Sequence, residues 1–339
     1  MIEHNHRNIV IAVDVMGGDF GPEETVIGSL EGARASNVDI LLVGDEDLVV
    51  NVLDRQNTDG VNVNVVPSFG KIEEGENPIQ ALRTEPRVSV STCVKLLKEN
   101  KAGAMVTMGS TGAAMASATL GLGLVGSLDR PCLGGPFLAL APHTAILDVG
   151  SNIDSRPNQL LNFATMGCVF ARKFFGVSSP TVALLSVGSE EGKGNRQVKD
   201  AYPLFAQSHL NFIGNVEGFD LLSNKANVIV CDGFVGNIIL KFAESMGDAA
   251  SNFLEANLHG KLEDGDLSVL KYQMWELTNL SKKMSGPLFG VNGNVIIGHG
   301  ASKSEEIAGA IQTAKRCVLL DLVEGIKDEL KILENGVAP

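Results

Sequence analysis

Short apolar segments recur along the chain, and most are followed by a glycine-rich polar turn and then a helical pattern. Alternating strands and helices are typical of parallel sheets, because each parallel connection needs a crossover, usually a helix. The pattern predicts an α/β fold with a doubly wound, mostly parallel sheet. We expect one catalytic domain over 9–333, between flexible tails at 1–8 and 334–339. The predicted strands are 9–13, 39–43, 61–66, 104–107, 145–148, 181–186, 211–213, 228–230 and 295–297.

The alternation stops over residues 242–284, where apolar residues share helical faces instead. A polar turn at 259–266 divides the segment, which therefore predicts a helical hairpin projecting from the sheet. Its apolar stripe would pack in the core, form a dimer interface or contact a membrane, although the acidic turn disfavours an anionic membrane surface. The stripe comprises Phe242, Met246, Ala249, Phe253 and Ala256, followed by Leu267, Leu270, Met274, Leu277 and Met284.

Charge and cysteine usage narrow the class of protein. The net charge of −13 argues against nucleic acid as a partner, since phosphate contacts need a basic face. The five cysteines form no CxxC pair, and we interpret them as reduced thiols of a cytoplasmic protein. The six histidines show no ligand spacing, so no metal site is predicted. The chain starts without an apolar signal segment and contains no 18-residue apolar run.

The most distinctive turn is LLSVGSEEGKGN, residues 184–195, between a predicted strand and a predicted helix. Its glycines let backbone N–H groups approach a ligand, while Lys193 and the helix N-terminus add positive charge. It is not a Walker loop, because only three residues separate Gly188 from Gly192 and a glycine follows the lysine. The turn therefore predicts an anion site, most simply for phosphate. The alternative is a solvated loop whose lysine faces water.

Other strand ends carry further candidates, and in open α/β sheets ligands bind beyond these ends. Ser110 and Thr111 are the nearest approach to a nucleophile, but helix capping explains both equally well. Asp232, among glycines, and His299, between two glycines, are candidates for a site. Asp232 also belongs to a group of carboxylates at or just past strand ends, each of which could instead be a cap; the others are Asp14, Asp19, Asp148 and Asp154.

A G-x-G-x-x-G match at Gly121, Gly123 and Gly126 carries little weight. The match lies within or at the end of a helical pattern, whereas a dinucleotide fingerprint needs a strand, a turn and a helix in that order. We therefore do not expect a nucleotide there.

Seven motifs together resemble the bacterial phosphate acyltransferase family. They are VDVMGGD (13–19), GSTGA (109–113), DVGSNID (148–154), GSEEGKGN (188–195), NFIGNVEG (211–218), VCDGFVGN (230–237) and GPLFGVNG (286–293). That family transfers an acyl group from acyl-acyl carrier protein to inorganic phosphate at the start of phospholipid synthesis. The resemblance implies a Rossmann-like fold similar to isopropylmalate dehydrogenases and phosphate acetyltransferases, with no metal or nucleotide cofactor.

The resemblance also implies partners and a location. The expected partners are acyl carrier protein, inorganic phosphate, a second copy of the chain and a downstream membrane glycerol-3-phosphate acyltransferase. The expected location is the cytoplasm, with peripheral association at the inner face of the cell membrane. The predicted hairpin is the candidate membrane contact.

With that resemblance, the residues predict a site without a covalent acyl-enzyme, in which phosphate attacks the thioester directly. The expected catalytic residues are Lys193, Asp232 and His299. The residues expected to bind phosphate and thioester are Gly17, Gly18, Ser110, Thr111, Gly112, Asn152, Gly192, Gly194, Asn195, Gly236 and Asn237. Backbone N–H groups near Gly112 or Gly236 are the expected oxyanion donors.

Three other functions remain open at the level of the sequence. A dehydrogenase would bind nicotinamide, but no nucleotide fingerprint is present. A short-chain phosphate acyltransferase would use coenzyme A instead of the carrier protein. A non-catalytic scaffold would bind the carrier protein without releasing its thiol.

Overall fold

The protein is described by a computed structural model that covers residues 9–280, 283 and 285–335. Its backbone packs into two compact units. Unit 1 combines the chain up to Ser127 with the segment that ends at Glu324, and unit 2 combines Leu128–Ser281 with the chain from Gly325. The single domain over 9–333 stays a prediction. The predicted tail at 1–8, the last four residues and Met284 of the predicted stripe lie outside the described residues.

Unit 1 contains a six-stranded stretch of sheet in the order β3-β2-β1-β4-β11-β10. The strands pair in parallel except β10, which is antiparallel to β11. Their bounds, numbered along the whole chain, are β1 (Val10–Asp14), β2 (Asp39–Gly44), β3 (Val63–Pro67), β4 (Ala104–Thr107), β10 (Gly286–Phe289) and β11 (Asn294–Ile297).

Helices pack on this sheet in pairs. Helix α1 packs against α10, and α4 packs against α5. Gly28 and Gly32 permit the first contact, because a Cβ on Gly28 would lie 2.5 Å from the Ser304 carbonyl oxygen. The helices are α1 (Glu23–Ser36), α2 (Glu46–Leu53), α3 (Pro78–Thr84), α4 (Ser89–Lys98), α5 (Thr111–Leu122) and α10 (Ser304–Leu319).

Unit 2 contains strands in the order β5-β6-β9-β7-β8, parallel except for β5 against β6. They are β5 (Cys132–Pro136), β6 (Ala145–Leu147), β7 (Thr181–Leu185), β8 (Asn211–Val216) and β9 (Val228–Val230). The helices are α6 (Pro157–Phe175), α7 (Arg196–Ala206), α8 (Gly233–Leu258), α9 (Asp264–Thr278) and most of α11 (Leu322–Asn335), with a short 3-10 helix at Gly218–Leu222.

The predicted fold class is confirmed. Every residue of β4 and β9 is buried, as expected for parallel strands covered on both faces. This arrangement explains the positive mean hydropathy of +0.14. Within the described residues, no helix combines the length and apolar character needed to cross a membrane.

The predicted hairpin is formed by α8 and α9. The Ser251 hydroxyl donates to the Lys271 carbonyl, and the Lys271 ammonium lies 2.7 Å from a Glu255 carboxylate oxygen. Part of the apolar stripe remains exposed in the single chain, with Phe242 at 66% and Phe253 at 67%. The described hairpin therefore presents an apolar surface.

The structure differs from the sequence prediction in two strands and one turn. Strands β5 and β10 were not predicted, because CLGGP and GPLF contain the glycine and proline that usually interrupt strands. The predicted strand 211–213 was expected to end in a turn at Gly214, but Gly214 lies inside β8, with φ +92°. There β8 carries one residue more than β7 between paired positions, so the glycine forms a bulge.

Candidate functional site

In unit 1 a buried carboxylate joins two turns. Asp14, only 2% exposed, accepts hydrogen bonds from the Gly17 N–H at 3.1 Å and the Thr107 hydroxyl at 2.7 Å. The Thr107 hydroxyl oxygen in turn accepts the Gly109 N–H at 3.0 Å. Burial raises the pKa of Asp14, although these hydrogen bonds act in the opposite direction. The Asp14 carboxyl therefore ties the turn after β1 to the turn after β4.

Gly17 and Gly18, in the turn after β1, make close contacts with neighbouring turns. A Cβ on Gly17 would lie 2.7 Å from the Gly109 nitrogen. Gly18 has φ +84°, and a Cβ there would lie 3.0 Å from the Gly300 carbonyl oxygen, which also accepts the Asp19 N–H. In unit 1, the turns that carry the predicted site residues Gly17, Gly18 and Ser110 therefore lie next to the loop that carries half-buried His299.

The N-terminus of α5 has no side-chain cap. Ser110 occupies the N-cap position, yet its hydroxyl makes no capping hydrogen bond, so the capping interpretation of Ser110 is wrong. Its carbonyl accepts the Ala114 N–H, the first bond of the helix. The N–H groups of Thr111 and Gly112 precede that bond, and Gly112 is exposed. These donors are available to an anion or an oxyanion.

In unit 2 a second buried carboxylate organises residues 148–152, here named the Asp148 turn. The Asp148 carboxylate accepts N–H bonds from Gly150, Ser151 and Asn152 at 2.7–3.0 Å, together with the Ser151 hydroxyl and the Asn152 amide. The Asn152 amide also donates to the Pro131 carbonyl at 2.8 Å. Burial raises the pKa of Asp148 despite these bonds. The Asn152 Nδ2 group therefore holds the turn together.

The first turn of α8 packs directly on the Asp148 turn. Gly233 donates its N–H to the Asn152 carbonyl at 2.7 Å. A Cβ on Gly236 would lie 1.8 Å from the Asp148 carbonyl oxygen, so only glycine fits there. Exposed Asn237 lies beside Gly150, where a Cβ would be 3.4 Å from the asparagine side chain.

The hydrogen bonds at the start of α8 bear on two expectations from the sequence, one for Gly236 and one for Asp232. The Gly236 N–H donates to the Asp232 carbonyl at 3.0 Å and is therefore already paired. The expectation of oxyanion donors near Gly236 stays a prediction, for N–H groups other than that of Gly236. The Asp232 carboxylate accepts the Val235 N–H at 2.8 Å and caps the helix. The capping interpretation of Asp232 is thus confirmed, and its catalytic role stays a prediction.

The anion site was predicted over residues 184–195. The part of it that connects β7 to α7, residues 186–195, is named here the Lys193 loop. Gly192, Lys193 and Asn195 are exposed. The Lys193 N–H donates to the Glu190 carbonyl at 3.0 Å, which closes a turn, and the Asn195 side chain caps α7 by accepting the Val198 N–H at 2.9 Å. Along the described chain, no carboxylate lies within ion-pair distance of the Lys193 ammonium.

Two glycines of this loop lie close to neighbouring side chains. Gly194 has φ +111°, and a Cβ there would lie 2.8 Å from the Val198 side chain. A Cβ on buried Gly188 would lie 2.9 Å from Cγ of Lys193, so the lysine stem passes over this glycine. The loop thus fixes the start of the lysine side chain and leaves its charge exposed.

Sequence reasoning missed several residues that build these sites. Thr107 and Ser151 hold the two turns, and Asn215 reaches the Lys193 loop from β8. The motif NFIGNVEG contained Asn215, but the sequence prediction placed that residue in a turn. Among the described residues, no group of three or more His, Cys, Asp or Glu side chains could hold a metal ion.

Comparisons with solved structures support the fold. A phosphotransacetylase from Streptococcus pyogenes has a TM-score of 0.62 at 16% identity, over 94% of this chain and 95% of that one. A 4-hydroxythreonine-4-phosphate dehydrogenase from Klebsiella pneumoniae has a TM-score of 0.56 at 13% identity, over 92% and 98%. At such identities the likeness concerns the fold alone.

Sequence comparisons identify the family. A family model described as "Fatty acid synthesis protein" matches residues 9–324. The phosphate acyltransferase of Acaryochloris marina is 42% identical over 312 residues, 90% of both chains. The phosphate acyltransferase of Dictyoglomus turgidum is 40% identical over 336 residues, 96% of this chain and 99% of the relative. The chain therefore belongs to the phosphate acyltransferase family.

Proposed function

We propose that this acyltransferase moves a long-chain fatty acyl group from acyl-acyl carrier protein to inorganic phosphate. The product would be an acyl phosphate for phosphatidic acid and phospholipid synthesis. The relatives named phosphate acyltransferase support the reaction type. The observation that carries the phosphate assignment is the exposed ammonium of Lys193 on a glycine-rich loop at the start of α7.

The Lys193 loop offers phosphate a positive charge, open backbone and a helix N-terminus. Asn195 uses its amide oxygen to cap α7, so its Nδ2 group is the part that would donate to phosphate. Phosphate is already largely ionised at neutral pH and needs positioning more than activation. Fixing two reactants in place can lower the barrier by several kcal/mol, in favourable cases about 7–11 kcal/mol.

The proposed reaction needs no covalent acyl-enzyme. A phosphate oxygen attacks the thioester carbonyl carbon, and the carbonyl electrons move to oxygen. When the carbonyl re-forms, the carbon–sulfur bond breaks and the carrier thiolate leaves with the bonding pair. For the thioester we propose the α5 first-turn N–H groups as oxyanion donors, each contributing roughly 3 kcal/mol. His299 or Asp232 would orient the phosphate, or would pass the proton that the attacking phosphate gives up to the leaving thiolate.

A thiol-release assay tests this function. The protein is mixed with palmitoyl-acyl carrier protein, with and without inorganic phosphate, in the absence of added metal or nucleotide. We expect phosphate-dependent release of the carrier thiol and an equal amount of acyl phosphate, trapped as a hydroxamate. Binding of the carrier without release would instead indicate a scaffold. Release only from short-chain acyl-coenzyme A would indicate the coenzyme A reaction.

Assembly and location form a separate proposal. The exposed apolar residues of α8 suggest that the hairpin forms a homodimer interface or a peripheral membrane contact. A cytoplasmic dimer at the inner membrane face could pass acyl phosphate to a membrane glycerol-3-phosphate acyltransferase. Sedimentation of the Phe242→Ser/Phe253→Ser variant tests the dimer. We expect this variant to be monomeric, whereas an unchanged dimer would exclude this surface as the interface.

A further inference from the structure

A hydrogen bond joins the end of β8 to the Lys193 loop. Asn215 is 3% exposed, and its Nδ2 donates to the Glu190 carbonyl at 2.9 Å. The same carbonyl accepts the Lys193 N–H at 3.0 Å. One backbone oxygen therefore receives both the bond that closes the lysine turn and the bond that anchors this turn to the sheet.

The bulge in β8 sets the direction of the Asn215 side chain. Between paired positions, β8 contains Ile213 and Gly214 where β7 contains only Ala183. Because side chains alternate along a strand, one extra residue changes the face on which the following side chain lies. Asn215 then pairs with Leu184, the second-last residue of β7, close to the start of the loop.

Asn215 is a poor choice for stability alone. Its Oδ1 is buried and has no hydrogen-bond partner within the described structure. A buried acceptor without a partner is unfavourable, whereas an apolar side chain of similar size would avoid that cost. The Glu190 carbonyl belongs to an exposed residue and could bond to water instead. What Asn215 contributes is therefore the position of the Lys193 loop and not the stability of the fold.

We infer that Asn215 is a positioning residue for phosphate binding: through Glu190 it holds the turn from which Lys193 reaches the anion. This inference rests on the proposed function, since it deepens the role of the Lys193 loop. Without the bond the loop would sample more conformations, and the lysine would spend less time at the anion. Phosphate affinity should fall while the folded state keeps its stability.

The test replaces Asn215 with leucine, which has a similar size and no donor. We expect the phosphate KM to rise about tenfold, the change that loss of one ordering hydrogen bond can produce. The kcat at saturating phosphate should stay within about threefold, and Tm within about 2 °C. Asn211→Leu is the matched control, because exposed Asn211 begins the same strand and, among the described residues, its side-chain amide donates only to the Ser179 hydroxyl, at 3.4 Å.

Two further variants make the test decisive. Asn215→Asp keeps the shape, but its ionised carboxylate cannot donate to the Glu190 carbonyl. Asn215→Asp should raise the phosphate KM at least as much as Asn215→Leu does. As pH falls and the new carboxyl protonates, its phosphate KM should approach that of the unsubstituted protein measured at the same pH. The double variant Lys193→Ala/Asn215→Leu should have the phosphate KM of Lys193→Ala alone, because both changes act through the lysine.

The outcomes separate this inference from the proposed function. An unchanged phosphate KM in both Asn215 variants, with Lys193→Ala impaired, overturns the inference and leaves the function standing. Additive effects in the double variant also overturn it. A Lys193→Ala variant with normal phosphate KM overturns the phosphate assignment itself.

Discussion

The Asp148 turn and the Lys193 loop both follow a strand of unit 2 and precede a helix, yet they use their polar groups differently. Five hydrogen bonds converge on the Asp148 carboxylate, and the turn packs so closely on α8 that Gly236 has no room for a Cβ. In the Lys193 loop two hydrogen bonds meet at the Glu190 carbonyl, and the lysine is left exposed.

This difference distinguishes polar groups that stabilise the fold from polar groups that remain free to contact a ligand. A donor that already has an internal partner cannot bind substrate without breaking that bond, whereas an exposed cation exchanges only water. The Gly236 N–H and the Asn152 amide group therefore stabilise the unit, and the exposed groups of the Lys193 loop are the ones that we propose bind phosphate. Four predictions, in order of decreasing effect, test this division.

The largest effect is expected at the contact between the Asp148 turn and α8. Gly236→Ala places a Cβ 1.8 Å from the Asp148 carbonyl oxygen, a backbone atom that cannot move freely. We expect a loss of about 3 kcal/mol or more in the free energy of unfolding, measured by chemical denaturation. Gly192→Ala is the control, because a Cβ there meets nothing within 4 Å. Equal stability of the two variants would contradict the packing account.

A smaller loss is expected at Gly194 in the Lys193 loop. An alanine there would adopt φ +111° and press on Val198, at a cost of about 1–3 kcal/mol. Because Gly194 adjoins the lysine, the phosphate KM should rise as well. Measurement of both quantities distinguishes this loop from the Asp148 turn. A stable Gly194→Ala variant with normal phosphate KM would show that the loop adapts to the change.

The two helix caps provide a matched pair. Asp232→Ala and Asn195→Ala each remove one capping bond and should each lower the unfolding free energy by about 1 kcal/mol. Asp232→Asn and Asn195→Asp preserve capping. We expect the former to lower kcat and the latter to raise the phosphate KM by adding negative charge beside Lys193. If neither kinetic parameter changes, both residues serve only as caps.

The smallest effect is a pH dependence at the Asp148 turn. Burial raises the pKa of Asp148 in the folded protein above its ordinary value of 3.8. Between the unfolded and folded pKa values the folded state binds the extra proton, so this contribution to stability falls as pH rises. The destabilisation caused by Asp148→Asn, measured in denaturation curves, should therefore be greatest below pH 3.8 and decrease as pH rises through the folded pKa. A destabilisation that grows with pH would contradict the raised pKa.

The sequence was sufficient for the fold class, because buried parallel strands and helical faces produce distinct periodicities. It located β4 and β9 without error. It missed β5 and β10, short antiparallel strands whose glycine and proline resemble turns. At Gly214 the error was the opposite one, a turn predicted inside a strand, because a glycine in a bulge and a glycine in a turn have the same sequence signature.

For the candidate site, the sequence identified the polar residues at strand ends but not their partners. The motifs could not show that the Gly236 N–H is already bonded or that Ser110 leaves α5 uncapped. Both facts depend on tertiary contacts or backbone angles that no local pattern encodes. The role that we infer for Asn215 could not be predicted, because it depends on a hydrogen bond to the Glu190 carbonyl, which lies in a different segment of the chain.

The most direct test of the account is the phosphate KM of Lys193→Ala, measured with saturating acyl-acyl carrier protein and paired with thermal unfolding. Lys199→Ala on α7 is the control, since Lys199 is also exposed but lies beyond the loop. We expect a rise of about tenfold or more for Lys193→Ala, with Tm and the control unchanged. An unchanged phosphate KM in a folded, active Lys193→Ala variant would contradict it.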